Sequence, residues 1–507
     1  MNKVLKGLVA VAATAAMAIA GVAGASTAMA EENTTATTNP TITFPTDTKY
    51  QDHTYEVYQI FTGDLSDGVL SNVKYGENGA KTKGTEVTAA ELKQLTGVNV
   101  EGKTDQDKLD VIKTFAKLDS TPITTLTKTS TTYSAAPGYY LIKDKDGSVS
   151  GNDANTLYIT KVVGDVTISP KSDVPSFQKK VKDTNDTTGD TTGWQDSADY
   201  DIGDKVPFQL KATLPSNYAD YKTYYLAFHD MEETGLSFNA DSVKVAVDGT
   251  AVDASNYTVK TAKDLTDGCT FEVVFTNLKN VANAKASSEI TVDYTSTLTE
   301  KAVLGDQGNV NKAKLQFSNN PNSEQGGEST PTGETPWDNV IVFTYKVVVN
   351  KVNENKEALK GAAFKLEKKI KDADNQLVKE FTAGKDTSFT FSGLDDGDYI
   401  LTETTTPAGY NTIKPITFTV TADHKVEWTT EERTDVLTSL NGNAASGEIT
   451  FAADESAGSL TADVVNVKGS NLPSTGGMGT VMLYVAGAAV FVLAGATLVM
   501  ALRRRNA

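Results

Sequence analysis

A single cysteine, Cys269, leaves this sequence unable to form an intramolecular disulfide. Its three histidines, His53, His229 and His424, lie far apart, which gives little material for a histidine metal centre or a Ser-His-Asp triad. We therefore expect no metal and no cofactor. Cationic charge is in deficit, with 47 Lys and Arg against 65 Asp and Glu and a net charge of −18. Such acidity argues against nucleic acid or an anionic membrane surface as a partner. Long apolar runs are confined to the two ends, and each end has a recognisable layout.

Residues 1–30 carry Lys3 and Lys6, an apolar stretch rich in Ala and Val, and Ala28-Met29-Ala30. That is the order of a secretory signal peptide cleaved after Ala30. At the other end Leu472-Pro473-Ser474-Thr475-Gly476 precedes an uncharged apolar run over residues 481–502 and then Arg503-Arg504-Arg505. The run is long enough to cross a bilayer core of roughly 30 Å, and the arginines mark its cytoplasmic side. A spanning segment needs no pentapeptide in front of it. The arrangement resembles the LPXTG cell-wall sorting signal of Gram-positive surface proteins, and the resemblance implies sortase cleavage between Thr475 and Gly476. The five basic residues at the ends would then be lost, leaving a more acidic exported chain.

Between the ends, Pro/Gly/Ser/Thr-rich breaks surround Ser169-Pro170 and residues 319–336, and a third covers 468–477. They divide the chain into a signal peptide (1–30), an N-terminal domain (31–171), a middle domain (172–335), a C-terminal domain (336–468) and a sorting segment (469–507). β-branched and alternating runs recur at Tyr55 to Phe61, Val206 to Leu210, Thr270 to Phe275 and Val340 to Val349, punctuated by turn residues about every 8 to 12 positions. This reads as a mainly β chain of tandem β-sandwiches. Helical spacing occurs only in the first domain, at residues 88–95 and 108–118.

In the C-terminal domain, Tyr399-Ile400-Leu401-Thr402-Glu403-Thr404-Thr405-Thr406-Pro407-Ala408-Gly409-Tyr410 resembles the E-box of collagen-adhesin (Cna) B-type domains. Lys351-Val352-Asn353 and Ala462 to Val467 are similar to the opening and closing strands of that domain. The resemblance implies an immunoglobulin-like sandwich with an intramolecular isopeptide bond: Lys351 the nucleophile, Asn466 the acceptor and Glu403 the catalytic acid. Lys346 lies on the same strand and differs from Lys351 only in strand phase. The chemistry is sound, because burial disfavours both the ammonium and the carboxylate. A neutral amine is a nucleophile, and a protonated carboxyl polarises the amide and relays protons.

The middle domain repeats this logic. Phe177 to Asp183, His229 to Phe238 and Gly308 to Leu315 resemble the isopeptide-forming domain of fimbrial major subunits. The match assigns Lys179 and Asn311 to the bond and Asp230 as the acid, with Lys180 and Asn309 as alternatives. Tyr55 to Gly63 and Ala136 to Ile142 resemble the N-terminal domain of the same subunits. Ser169-Pro170-Lys171 is similar to the pilin motif, although Ser169 and Ser172 replace its usual aromatic and Asn. The resemblance implies that Lys171 is the amine accepting Thr475 of another copy.

The implied protein is the backbone subunit of a sortase-assembled pilus (fimbrium), secreted, anchored to peptidoglycan and serving adhesion. Its implied partners are pilus-type and housekeeping sortases, other copies of itself, minor or tip pilins and a host or matrix receptor. A singly anchored adhesin or accessory pilin would share everything except the Lys171 acceptor. A wall-anchored glycosidase would need paired carboxylates in a cleft, and the distinctive carboxylates here fall in the crosslinking motifs. Cys269 reads as a buried free thiol, and the Asp-rich stretch 183–190 lacks EF-hand spacing.

Overall fold

The computed structural model describes residues 39–66, 69–96, 105–156, 159–162, 164–170, 172–323, 325–424, 426–429, 432–434, 437–444 and 449–469. These fall into two compact units. The first draws on Met1–Thr184, Asp190–Thr344 and His424–Thr438, and the second on Asn185–Gly189, Tyr345–Asp423 and Ser439–Ala507. Strands dominate both, so the mainly β expectation holds, and the α-helices among the described residues are Ala89–Thr96 and Asp105–Lys113. None is long and apolar enough to cross a membrane.

At the N-terminal end of the first unit, Tyr55–Ser66 pairs antiparallel with Val69–Tyr75 and Gly138–Asp144. Thr88 and Glu91 close a capping box at the start of the first helix: Thr88 N donates to Glu91 Oε2 at 2.8 Å, and Glu91 N donates to Thr88 Oγ1 at 3.3 Å. Leu92 and Leu109 from the helices pack with Phe61, Tyr75, Phe115 and Leu141. A small sheet holds Thr41–Thr43 between Thr132–Ser134 and Val166–Thr167. Buried Ile168 continues that last strand, its N donating to Thr43 O at 2.8 Å, and leads the chain toward position 171.

The rest of the first unit is a sandwich. One sheet runs through Ser197–Asp199, Asp338–Phe343, Asn309–Ser318, Leu226–Glu232, Phe271–Phe275 and Thr258–Thr261. The facing sheet includes Lys244–Val247, Glu289–Leu298, Lys205–Thr213 and Ser176–Val181. Alternation is clean where a strand has one wet face: Ile290, Val292, Tyr294, Ser296 and Leu298 point inward from one strand. They join Phe208, Phe228, Phe271 and Leu315 in one core.

The run Val340 to Val349 is two strands rather than one. Asp338–Phe343 completes the first unit by pairing with Asn309–Ser318, and Tyr345–Asn353 opens the second. Buried Thr344 sits at the break, its carbonyl accepting from Gly305 N at 3.2 Å. Neither Gly nor Pro signals that break in the sequence. In the second unit Tyr345–Asn353 lies between Ser388–Leu394, antiparallel, and Ser459–Asn466, parallel. The other sheet centres on Ala363–Lys368, Gly397–Thr405 and Ile416–Asp423. Phe364 meets Phe389 across the sandwich with ring centroids 5.0 Å apart.

Candidate functional site

In the middle sandwich Lys179 comes from the strand Ser176–Val181, Asp230 from Leu226–Glu232 and Asn311 from Asn309–Ser318. All three are fully buried. Lys179 Nζ donates to Asp230 Oδ2 and, at 2.6 Å, to the Tyr294 hydroxyl. Tyr294 in turn donates to Asp230 Oδ2 at 2.7 Å, and Asn311 Nδ2 donates to the Tyr294 oxygen at 2.9 Å. The amine also lies 5.3 Å from the centroid of the Phe208 ring. Tyr294 thus joins the lysine, the acid and the amide.

Burial lowers the Lys179 pKa and raises that of Asp230. Both shifts favour the neutral pair, with the proton on the carboxyl rather than on the amine. Glu232, two residues along the strand from Asp230, is pushed up to about 8, first by burial and then by the Asp230 charge. It accepts a hydrogen bond from Ser296 and lies 3.4 Å from Asn311 Nδ2. A protonated Glu232 can therefore hydrogen-bond the amide as a second acid. Buried Asn311 Oδ1 has no hydrogen-bond partner among the described residues, which leaves that carbonyl open to polarisation.

The alternatives sit elsewhere. Lys180 points to the other face of its strand and pairs with Asp196. Asn309 is buried, but its amide is engaged as a lock: Oδ1 accepts from Val303 N at 2.9 Å, and Nδ2 donates to the Val303 and Val342 carbonyls, each at 3.1 Å. A Cβ on Gly235 would fall 2.0 Å from Asn309 Oδ1, so that position requires a residue without one. Sequence reasoning missed Tyr294, Glu232 and Ser296. The inward alternation of Glu289–Leu298 and the i, i+2 spacing of Asp230 and Glu232 are the signals that pointed to them.

In the second unit Lys351 and Asn466 lie on adjacent parallel strands, with Lys351 in register with Val464. Both side chains are fully buried, whereas Lys346 is in the opposite phase and half-exposed. Asn466 Nδ2 donates to Glu403 Oε1 at 3.0 Å and Oε2 at 3.1 Å. Glu403 Oε2 also accepts from Thr406 Oγ1 at 3.1 Å and Ile413 N at 3.2 Å. The Lys351 amine donates to the Val464 carbonyl at 2.7 Å, next to this pair rather than bonded to it. Burial outweighs the attraction of Glu403 and lowers the Lys351 pKa to about 8. A third buried lysine, Lys368, pairs instead with Asp395 and, at 3.0 Å, with Asp186 of the same unit.

Cys269 is buried and reduced. Ala30, Lys171, the pentapeptide Leu472 to Gly476 and the apolar run 481–502 lie outside the described residues.

Comparison with known proteins gives two family matches. Residues 202–321 match the Gram-positive pilin backbone subunit 2, Cna-B-like domain, and residues 345–434 match the SpaA prealbumin-like fold domain. The chain is 26% identical over 397 residues to the trypsin-resistant surface T6 protein of Streptococcus pyogenes serotype M6, covering 66% of this chain and 70% of that one. It is 27% identical over 464 residues to fimbrial subunit type 2 of Actinomyces naeslundii, covering 80% and 74%. The solved T6 backbone pilin of S. pyogenes is similar at 19% identity and a TM-score of 0.49, over 85% of this chain and 98% of that one.

Proposed function

This chain carries a Gram-positive pilin-backbone Cna-B-like domain and a SpaA prealbumin-like domain, and from that premise we propose that it is the structural backbone subunit of a covalently polymerised, cell-wall-anchored pilus. The observation that carries the reading is the buried cluster of Lys179, Asp230, Tyr294 and Asn311. An amine and a carboxyl sealed together in an apolar core stabilise a fold poorly by themselves. Its composition suits one reaction.

With its proton held on Asp230, the Lys179 amine attacks Cγ of Asn311. The Nζ–Cγ bond forms, the Cγ–Nδ2 bond breaks, and the amide nitrogen leaves as ammonia, its extra proton relayed from the amine through Asp230. Glu403 plays the same part for Lys351 and Asn466. Each event happens once per chain, so the protein is a structural subunit rather than an enzyme. A sortase then cuts after Thr475 and joins that carbonyl to Lys171 of the next copy, a head-to-tail contact that propagates as a fibre. The last subunit is transferred to peptidoglycan, and the fibre serves adhesion.

Wall extracts boiled in SDS test the polymer. Wild type is expected to give a ladder of very large species, and Lys171→Ala to give monomer. A ladder that persists in the variant would remove Lys171 as the acceptor, and monomer in both would refute polymerisation. Intact mass tests the crosslinks, with a deficit of one ammonia per bond expected.

A further inference from the structure

The outward face of the middle sandwich carries a second cluster unconnected with crosslinking. His229, next to Asp230 on the strand Leu226–Glu232, faces the opposite side of the sheet and stands directly opposite Glu272 on the strand Phe271–Phe275. The turn before that second strand, Asp267-Gly268-Cys269, has Gly268 at φ +86°, a left-handed conformation that glycine adopts freely. Asp267 Oδ1 accepts from Cys269 N at 3.0 Å, and Thr270 N donates to the Asp230 carbonyl at 2.7 Å. These bonds fold the turn back so that both flanking side chains meet His229.

His229 Nδ1 lies 2.9 Å from Asp267 Oδ2, 3.1 Å from Glu272 Oε1 and 4.0 Å from Cys269 Sγ. The donor atoms of His229, Asp267 and Cys269 all fall within 4.8 Å of one another. We propose that His229, Asp267 and Cys269 form a three-residue binding site for one divalent ion of the zinc class, with the fourth position open to solvent. Thiolate, imidazole and carboxylate are the ligands zinc takes, and Zn–S and Zn–N bonds of about 2.3 and 2.0 Å put tetrahedral neighbours roughly 3.5 Å apart. A sulfur and a nitrogen donor disfavour calcium and magnesium, which take oxygen ligands.

Two further features suit a metal. His229 Nε2 is 3.4 Å from Gln316 Oε1, so donation there leaves the Nδ1 lone pair facing the cluster. Cys269 and His229 are buried while Asp267 is exposed, which provides a route for the ion. A thiolate and a neutral imidazole bind the ion only after losing their protons, so affinity falls as pH falls. The nearby cations are engaged elsewhere: Lys260 pairs with Glu328 at 2.6 Å and lies 3.9 Å from Glu272, and Lys314, opposite His229, pairs with Glu334 at 2.6 Å.

The test is anaerobic titration of the reduced full-length chain with Co²⁺, followed by Zn²⁺. One equivalent should produce strong visible bands and a near-ultraviolet sulfur-to-cobalt band, and both should vanish on adding zinc. Cys269→Ser should lose the sulfur band, and His229→Gln should weaken binding at least tenfold. A natively folded wild-type chain that shows no sulfur band at saturating cobalt would overturn the site, whatever the variants do.

Discussion

Lys179 and Lys351 are the kind of residue that burial forces into unusual chemistry. A buried ammonium is costly unless paired, and both amines sit among apolar side chains beside a carboxyl and a carboxamide. Asp230→Ala should leave the intact mass only one ammonia below the variant's own sequence mass, with the Lys351–Asn466 bond still formed; a deficit of two ammonias would remove Asp230 as the acid. Tyr294→Phe removes the hydroxyl that joins amine, acid and amide, and should slow bond formation by about tenfold or more in a refolding time course followed by mass. The second site has its own pH signature. With a folded pKa of about 8, below the usual lysine value, Lys351 is mostly neutral, as the proposed nucleophile must be, only above that pH. Its bond should therefore form at a plateau rate above about pH 8 and slow by about tenfold for each unit below, as read by mass after pH-jump refolding.

Single side chains also decide how elements hold together. His53 is buried between two carboxylates, with Nδ1 2.7 Å from Asp144 at the end of the strand Gly138–Asp144 and Nε2 2.7 Å from Asp153. Asp144 also accepts from Thr156 N at 2.5 Å, so the imidazole fastens the segment after that strand. Asn155 N and Nδ2 then both donate to the Asn319 carbonyl, at 2.6 and 3.1 Å, within the same unit. Burial alone would lower the His53 pKa, but the two carboxylates prevail and raise it to about 9. A raised folded pKa contributes stability that is complete below the unfolded value of 6.5 and lost as pH rises through about 9. Protection of the amides of residues 151–156, taken relative to intrinsic base-catalysed exchange, should accordingly fall between those limits. His53→Gln should abolish that dependence and destabilise the unit by about 3–5 kcal/mol, because Asp144 is left buried with its charge unmatched.

At the scale of the whole chain, a crosslink from position 179 to 311 or from 351 to 466 encloses more than a hundred residues, long enough to restrict the unfolded chain severely. By the loop-entropy argument used for disulfides each proposed bond would stabilise by up to about 5 kcal/mol, a role no disulfide can fill in a chain with one cysteine. Lys179→Ala and Lys351→Ala should each lower the thermal midpoint of the unit that holds it and shorten its survival in trypsin. Equal survival of wild type and the double variant would mean that the bonds do not carry the stability.

Much of this was legible in linear order, because the signals are local. The alternation of the strands and the short helices, expected at 88–95 and 108–118 and found at Ala89–Thr96 and Asp105–Lys113, each depend on neighbours within a few positions. So does the E-box stretch around Glu403. What linear order left open was which of two nearby lysines or asparagines faces inward. A strand turns alternate residues to opposite faces, and only register against other strands decides which face is the core. The tertiary structure alone decided that Lys179 rather than Lys180, and Asn311 rather than Asn309, meets Asp230 and Tyr294, and that Lys351 rather than Lys346 turns inward beside Glu403 and Asn466. It also brought His229 to Asp267 and Cys269, residues about forty positions away whose proximity arises from antiparallel pairing and one left-handed glycine.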